Sequence, residues 1–73
     1  MLENKRITIV ADSIVDDTKI ASFGAVLNPN NMELGLTSCY IDKNACKINR
    51  DIVRRDQANF EDYVYDLQDR LKD

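Results

Sequence analysis

The sequence contains no histidine and no tryptophan among its 73 residues, and only two cysteines, two glycines and one proline. Without histidine, catalysis would have to use carboxylate, Lys, Tyr or Cys side chains, and a zinc site would need two or more carboxylate or partner ligands. The two glycines, Gly24 and Gly35, are isolated, which excludes a glycine-rich loop that cradles phosphate. We therefore expect a protein that is not an enzyme and that holds no metal or cofactor.

Three aspartates and the two cysteines are the remaining candidates for chemistry. Asp12, Asp16 and Asp17 lie close together, but their spacing does not match a loop that binds Mg²⁺ or Ca²⁺, so a role in a turn is expected. Cys39 lies in a strand pattern and Cys46 in a helix pattern. In a chain that is not secreted, two such cysteines are more often small buried side chains than a disulfide.

The sequence also lacks an apolar leader and an apolar run long enough to cross a membrane. Its net charge of −3 opposes nonspecific binding to nucleic acid or to an anionic membrane. We expect a cytoplasmic protein without membrane association. A single domain of this size buries only about 60% of the surface that its unfolded chain exposes. Oligomerisation is therefore the expected additional source of stability, with a dimer favoured.

Residues 5–41 show the alternation of apolar and polar side chains that is typical of β-strands. Turn-forming residues interrupt the pattern at positions 16–17 and 28–31. The turns are short, so the strands are expected to form an antiparallel meander, with boundaries at about 5–15, 18–27 and 32–41.

Residues 42–72 predict a C-terminal amphipathic helix, which gives an α+β fold in a single domain, 1–73. Asp42 is a candidate N-cap, and Asn49 is a second candidate start, so a separate short helix over about 42–48 is one interpretation. The apolar side chains recur at intervals of three and four along one broad arc, which comprises Ile41, Ala45, Ile48, Ile52, Val53, Phe60, Tyr63, Val64, Leu67 and Leu71.

Asp56 interrupts this apolar arc, and a buried carboxylate without a partner is costly. Three interpretations remain open. The helix breaks or kinks near Arg55, with Asp56 as the N-cap of a second segment; Asp56 pairs with a cation such as Arg55 or Lys5; or the arc is open to water there. The first interpretation is favoured.

Two faces of the predicted sheet differ in what covers them. One face provides the bed for the helix, whereas the other carries more apolar side chains than a solvated face needs. The two open edges of a three-stranded sheet also favour pairing with another chain. These features predict a non-enzymatic module that associates with itself or with another protein. The predicted interface residues are Val10, Ile14, Ile20, Val26 and Cys39.

Charge is unevenly distributed along the helical region. Residues 43–55 contain five cations and one anion, whereas residues 56–73 contain six anions and two cations. This order opposes the helix macrodipole. Two interpretations remain open: an antiparallel partner helix brings the basic half against the acidic half, or both charged runs are solvated faces. The alternative function is a nucleic-acid-associated accessory protein. Its predicted phosphate contacts are Lys43, Lys47, Arg50, Arg54 and Arg55.

The run NRDIVRRDQANFEDYVYDLQD at residues 49–69 follows a three-strand pattern with an NPN turn. In this combination the chain resembles short uncharacterised proteins of phages and mobile elements of Gram-positive bacteria. The resemblance implies a small accessory protein that acts through another protein, and it implies no activity or functional residues.

Overall fold

The protein folds as a three-stranded sheet followed by two helices, and the computed structural model describes residues 5–72. The sheet is antiparallel with strand order β1-β2-β3, so the predicted α+β class and meander are confirmed. The elements are β1 (Ile7–Val15), β2 (Thr18–Leu27), β3 (Leu34–Tyr40), α1 (Lys43–Ile48) and α2 (Arg50–Lys72).

Local contacts and backbone conformation define both sheet turns. Asp16 and Asp17 join β1 to β2 with φ of 51° and 62°, a conformation typical of two-residue hairpin turns and accessible to Asp. In the second turn, the Asn28 side chain accepts a hydrogen bond from the Asn30 amide at 2.9 Å. The Met32 amide donates to the Asn28 carbonyl at 2.8 Å. These local contacts fix the register of the meander.

The core lies between the inner face of the sheet, defined here as the face that α2 covers, and the apolar arc of α2. Phe23 and Phe60 contact each other across this layer, with ring centroids 5.9 Å apart. Alternate side chains of β2 point inward, as predicted from its pattern. The buried apolar residues besides this pair are Ile20, Ala21, Ala25, Leu27, Val53 and Val64.

A β-bulge changes the side to which Ile20 points. Ser13 pairs with Ala21 and Ile14 pairs with Lys19, so Ile20 is an extra residue in β2 with no partner in β1. The bulge breaks the alternation, and the Ile20 side chain is only 2% exposed within the core. The prediction that Ile20 lies on the outer face of the sheet is therefore wrong.

The carbonyl of the bulged residue also anchors the start of the helical region. Ile20 accepts hydrogen bonds from the amides of Ile41 and Asp42, at 2.9 and 3.2 Å, and from the Cys46 thiol at 3.1 Å. The predicted N-cap forms, since the Asp42 carboxylate accepts from the Ala45 amide at 3.0 Å. One irregular position in the sheet thus fixes where the first helix begins.

The helical region is divided at Asn49. The Asn49 amide donates to Ala45 at 2.9 Å and closes α1, while the Asn49 carbonyl accepts from Val53 at 3.0 Å and opens α2. The interpretation of a separate short helix is confirmed.

Asp56, by contrast, lies within the unbroken helix α2, so the favoured break near Arg55 is wrong. Its carboxylate is half-buried and accepts a hydrogen bond of 2.5 Å from the hydroxyl of Ser13, which is fully buried. The partner is therefore a hydroxyl on β1 rather than a cation such as Arg55 or Lys5. The contact places α2 firmly against β1.

Helix α2 packs over β1 and β2 rather than over the whole sheet. On the β3 side, the Gln68 side chain donates to the Met32 carbonyl at 2.9 Å, and that of Gln57 donates to the Ser38 hydroxyl at 3.4 Å. The helix therefore covers the inner face only in part: one flank lies above the β1 margin, and the other reaches the β3 side through these two glutamine side chains.

Candidate functional site: two interaction surfaces

The outer face of the sheet carries four of the five predicted interface residues. Val10, Ile14 and Val26 are 66%, 59% and 42% exposed, and the Cys39 thiol is free and exposed. Ile20 is absent from this face because of the bulge. Among residues 5–72, no element packs across these side chains, so the outer face is an apolar surface open to solvent.

Glycines at the centre of this outer face leave recessed positions beside the two exposed valines. Val10 pairs with Gly24 across β1 and β2, and Val26 pairs with Gly35 across β2 and β3. Each valine therefore stands beside a position without a side chain. A Cβ atom on Gly24 would lie 2.8 Å from Thr37 Oγ1, so a larger residue there would force the Thr37 side chain to move away from the Gly24 carbonyl to which it donates.

The margin of the sheet along β1, here called the β1 edge, is a second candidate surface. A groove runs between β1 and α2. Its apolar lining includes Ile9, Ala11, Phe60 and Tyr63, and its polar lining consists of Asp12, Asp56 and Asn59. Tyr63 is 62% exposed, although the sequence pattern placed it on the apolar arc that α2 buries. Since α2 covers only part of the inner face, Tyr63 overhangs the margin instead of entering the core.

Charge along α2 follows the predicted order. Asp66 and Arg70, which are four residues apart, form an ion pair at 2.9 Å. Asp51 and Arg55 have the same spacing, but the ion pairs found among residues 5–72 do not include them. The basic half of α2 is therefore less neutralised by local partners than the acidic half.

Four cations converge where α1 meets α2. A pocket of about 230 Å³, here called the cationic pocket, has an apolar floor formed by Tyr40, Cys46 and Val53. No carboxylate lines it, and no ion pair among the residues that the structure describes includes its cations. The cations around it are Lys43, Lys47, Arg50 and Arg54.

Arg55, the fifth predicted phosphate contact, does not line this pocket. It follows Arg54 by one residue, which rotates it by about 100° around the helix. Tyr40 lines the pocket and is 47% exposed, although its place in the strand alternation is that of a side chain facing the helix. No local signal in the sequence distinguishes Tyr40 from a core tyrosine.

The three aspartates considered for chemistry have structural partners or roles. Asp12 pairs with Lys19 at 3.3 Å, and Asp16 and Asp17 form the first turn. Within residues 5–72, no three His, Cys, Asp or Glu side chains converge to hold a metal ion. The same part of the chain contains no helix with the length and apolar character needed to cross a membrane.

Comparison of the chain with protein-family models, with curated proteins and with solved structures found no match. The resemblance to phage and mobile-element proteins therefore stays a prediction, and functional inference depends on the surfaces described above.

Proposed function

We propose that the protein is a non-enzymatic module that associates with a second copy of itself through the β1 edge. The observation that supports this most directly is the apolar exposure along that margin. Val10 and Ile14 project from one side of β1, and Tyr63 overhangs the other. Antiparallel pairing of two β1 strands about a two-fold axis would give a continuous six-stranded sheet, would pair the open backbone groups of β1 and would bring each Tyr63 towards the α2 of the other copy, while Val10 and Ile14 would be shielded from the side by the symmetry-related strand.

The position of α2 makes this arrangement sterically favourable. Neighbouring strands lie about 4.8 Å apart, and α2 packs over β1 and β2. A helix axis midway between these strands would lie about one strand spacing from a two-fold axis at the β1 edge. The two α2 axes would then be separated by roughly 9–10 Å, within the range of about 8–10 Å at which helices pack.

The charge order of α2 favours the same dimer. A two-fold axis perpendicular to the sheet makes the two helices antiparallel, so the basic half of one faces the acidic half of the other. Arg55 and Asp66 lie on exposed positions in these two halves and would approach each other across the axis. The β3 edge lacks this advantage, because α2 does not cover β3 and the helices would remain apart.

Two free thiols, on Cys39 and Cys46, are consistent with a reducing compartment, and we include a cytoplasmic location in the proposal.

Light scattering over a range of protein concentrations tests the proposal. We expect a species of twice the 8.4 kDa chain mass that dissociates on dilution. Tyr63→Glu should shift the protein to monomer, since it places a charge in the helix-to-helix contact. Tyr65→Glu is the matched control, because Tyr65 is 46% exposed and lies about 200° further around α2.

Circular dichroism of both variants establishes that the fold is retained. A monomer at every concentration, or an equal effect of the two substitutions, would overturn the proposal. Val26→Asp separates the edge from the outer face. If Val26→Asp abolishes the dimer while Tyr63→Glu does not, the outer face forms the contact and the β1 edge does not.

A further inference from the structure

The cationic pocket lies on the opposite flank of α2 from the β1 edge and has a chemistry of its own. Lys43 and Lys47 are separated by one turn of α1, and Arg50 and Arg54 are separated by one turn of α2. Like charges at this spacing repel each other on an isolated helix. The break at Asn49 then brings the two pairs around one pocket. A bound anion would relieve the repulsion within each pair and between them.

The floor of the pocket restricts the kind of anion that fits. Val53 is 4% exposed, and the Cys46 thiol is already hydrogen-bonded to the Ile20 carbonyl, so the floor offers little to a polar ligand atom. Tyr40 provides an aromatic side chain at the same place. A ligand with a planar apolar part and a phosphoryl part satisfies both the floor and the rim.

We propose that the cationic pocket binds a nucleoside phosphate, with its phosphoryl groups on the rim cations and its base against Tyr40. The pocket volume of about 230 Å³ is below the usual range for drug-sized ligands, roughly 300–1,000 Å³, so it encloses only part of a single nucleotide unit. That unit has two possible sources, a free nucleotide or the 5′-phosphorylated end of a single strand. This inference is independent of the proposed dimer, because it uses neither β1 nor Tyr63.

Calorimetric titration with ADP, inorganic diphosphate and a 5′-phosphorylated single-stranded oligonucleotide tests the proposal and distinguishes the sources. We expect ADP to bind more tightly than inorganic diphosphate, which lacks a base. An oligonucleotide that binds more tightly than ADP identifies the strand end as the source, and comparable affinities identify the free nucleotide. Absence of binding to all three probes at millimolar concentration would overturn the proposal.

Two charge reversals on neighbouring residues separate the pocket from a general basic surface. Arg54→Glu should weaken ADP binding by about tenfold or more, because it replaces a charge-assisted contact with a repulsive one. Arg55→Glu changes the net charge equally but lies outside the pocket lining, so affinity should remain within about twofold. Equal losses in both variants would mean that the cations act as an undivided electrostatic surface, and the pocket proposal would fail.

Arg50→Glu distinguishes a role of Arg50 in binding ADP from a role in stabilising the fold. It places an acid in the first turn of α2, where the macrodipole favours negative charge. The thermal midpoint should therefore be unchanged or higher while ADP binding is lost. A lower thermal midpoint for Arg50→Glu would mean that Arg50 stabilises the fold.

Tyr40→Ala should weaken the binding of ADP more than the binding of inorganic diphosphate. An equal loss of affinity for the two probes would mean that the base does not stack on Tyr40.

Discussion

The hydrogen bond between Ser13 and Asp56 should be one of the largest polar contributions to the stability of this small domain. Ser13 is fully buried and donates its hydroxyl to the half-buried Asp56 carboxylate at 2.5 Å. The two residues are 43 positions apart and join β1 to α2. Removing Asp56 leaves the fully buried Ser13 hydroxyl without a partner among the described contacts, and removing Ser13 leaves the half-buried Asp56 carboxylate without its hydrogen bond.

The expected magnitude follows from the charge and burial of the pair. A hydrogen bond to a charged group contributes about 1.5–3 kcal/mol, and an orphaned buried polar group costs about 1–3 kcal/mol. Ser13→Ala and Asp56→Ala should therefore each lower the free energy of unfolding by about 2 kcal/mol. Total stability for 73 residues is about 4–11 kcal/mol, so either loss would be a substantial fraction.

A double-mutant cycle measured by urea denaturation, followed by far-ultraviolet circular dichroism at fixed protein concentration, isolates the pair. The double variant should be only slightly less stable than either single variant, which corresponds to a coupling energy of about 1–2 kcal/mol. In thermal unfolding each single substitution should lower the midpoint by roughly 8–16 °C for a domain of this size.

Asp62→Ala is the matched control, since Asp62 is an exposed aspartate on the same helix. It should change the free energy of unfolding by no more than about 0.5 kcal/mol. The reasoning that this contact accommodates a carboxylate on the apolar arc would be refuted by either of two results. One is that the losses of unfolding free energy at positions 13 and 56 are additive. The other is that Ser13→Ala destabilises the protein no more than the control does.

Two further predictions concern the sheet and use the same denaturation assay. Ile20→Ala should lower the free energy of unfolding by about 2–5 kcal/mol because the side chain is buried. Val26→Ala, on the outer face, should lower it by about 0.5 kcal/mol. Similar losses in the two variants would mean that the bulge does not turn Ile20 inward. Gly24→Ala should be destabilising because its Cβ would meet Thr37 Oγ1 at 2.8 Å, and Thr37→Ala should rescue it. Gly35→Ala, which meets no atom within 4 Å, should be neutral or stabilising, and a cost equal to that of Gly24→Ala would exclude the steric explanation.

The local features of the fold were predictable because their causes are local. Alternation identified the three strands, and Asp, Asn and Pro identified the two turns. Asp42 was recognisable as an N-cap from its position before the helical pattern. The bulge was not predictable, because Lys19, Ile20 and Ala21 contain no glycine or proline and the extra residue is defined only by pairing with β1.

The error at Asp56 has a related origin. A carboxylate on an apolar arc needs a polar partner, but a helical pattern identifies only candidate partners three or four residues away on the same helix. Ser13 lies in a strand and reaches Asp56 only after the sheet and helix have packed. The true helix boundary, at Asn49, was visible as a candidate because Asn is a favourable capping residue.

The candidate surfaces were predictable in composition but not in arrangement. On one uninterrupted helix, four of the five cations would share a basic face, and Arg55 would lie about 100° from Arg54. The break at Asn49 arranges those four cations around a pocket instead of along a straight face. Likewise, Tyr63 follows the spacing of a core residue, and only the lateral position of α2 over β1 and β2 exposes it.

The two proposals together account for a charge order that is unfavourable within the isolated chain. Cations predominate in the first half of α2 and carboxylates in the second half, which is the reverse of the order that the helix macrodipole favours. In the proposed dimer the acidic half of one α2 faces the basic half of the other, and in the proposed complex the cations on the opposite flank face phosphoryl groups. Tyr63 and Arg54 lie on different sides of the helix, so dimerisation leaves the cationic pocket open on each copy. Self-association and nucleotide binding should therefore be separable by mutation and able to occur on the same molecule.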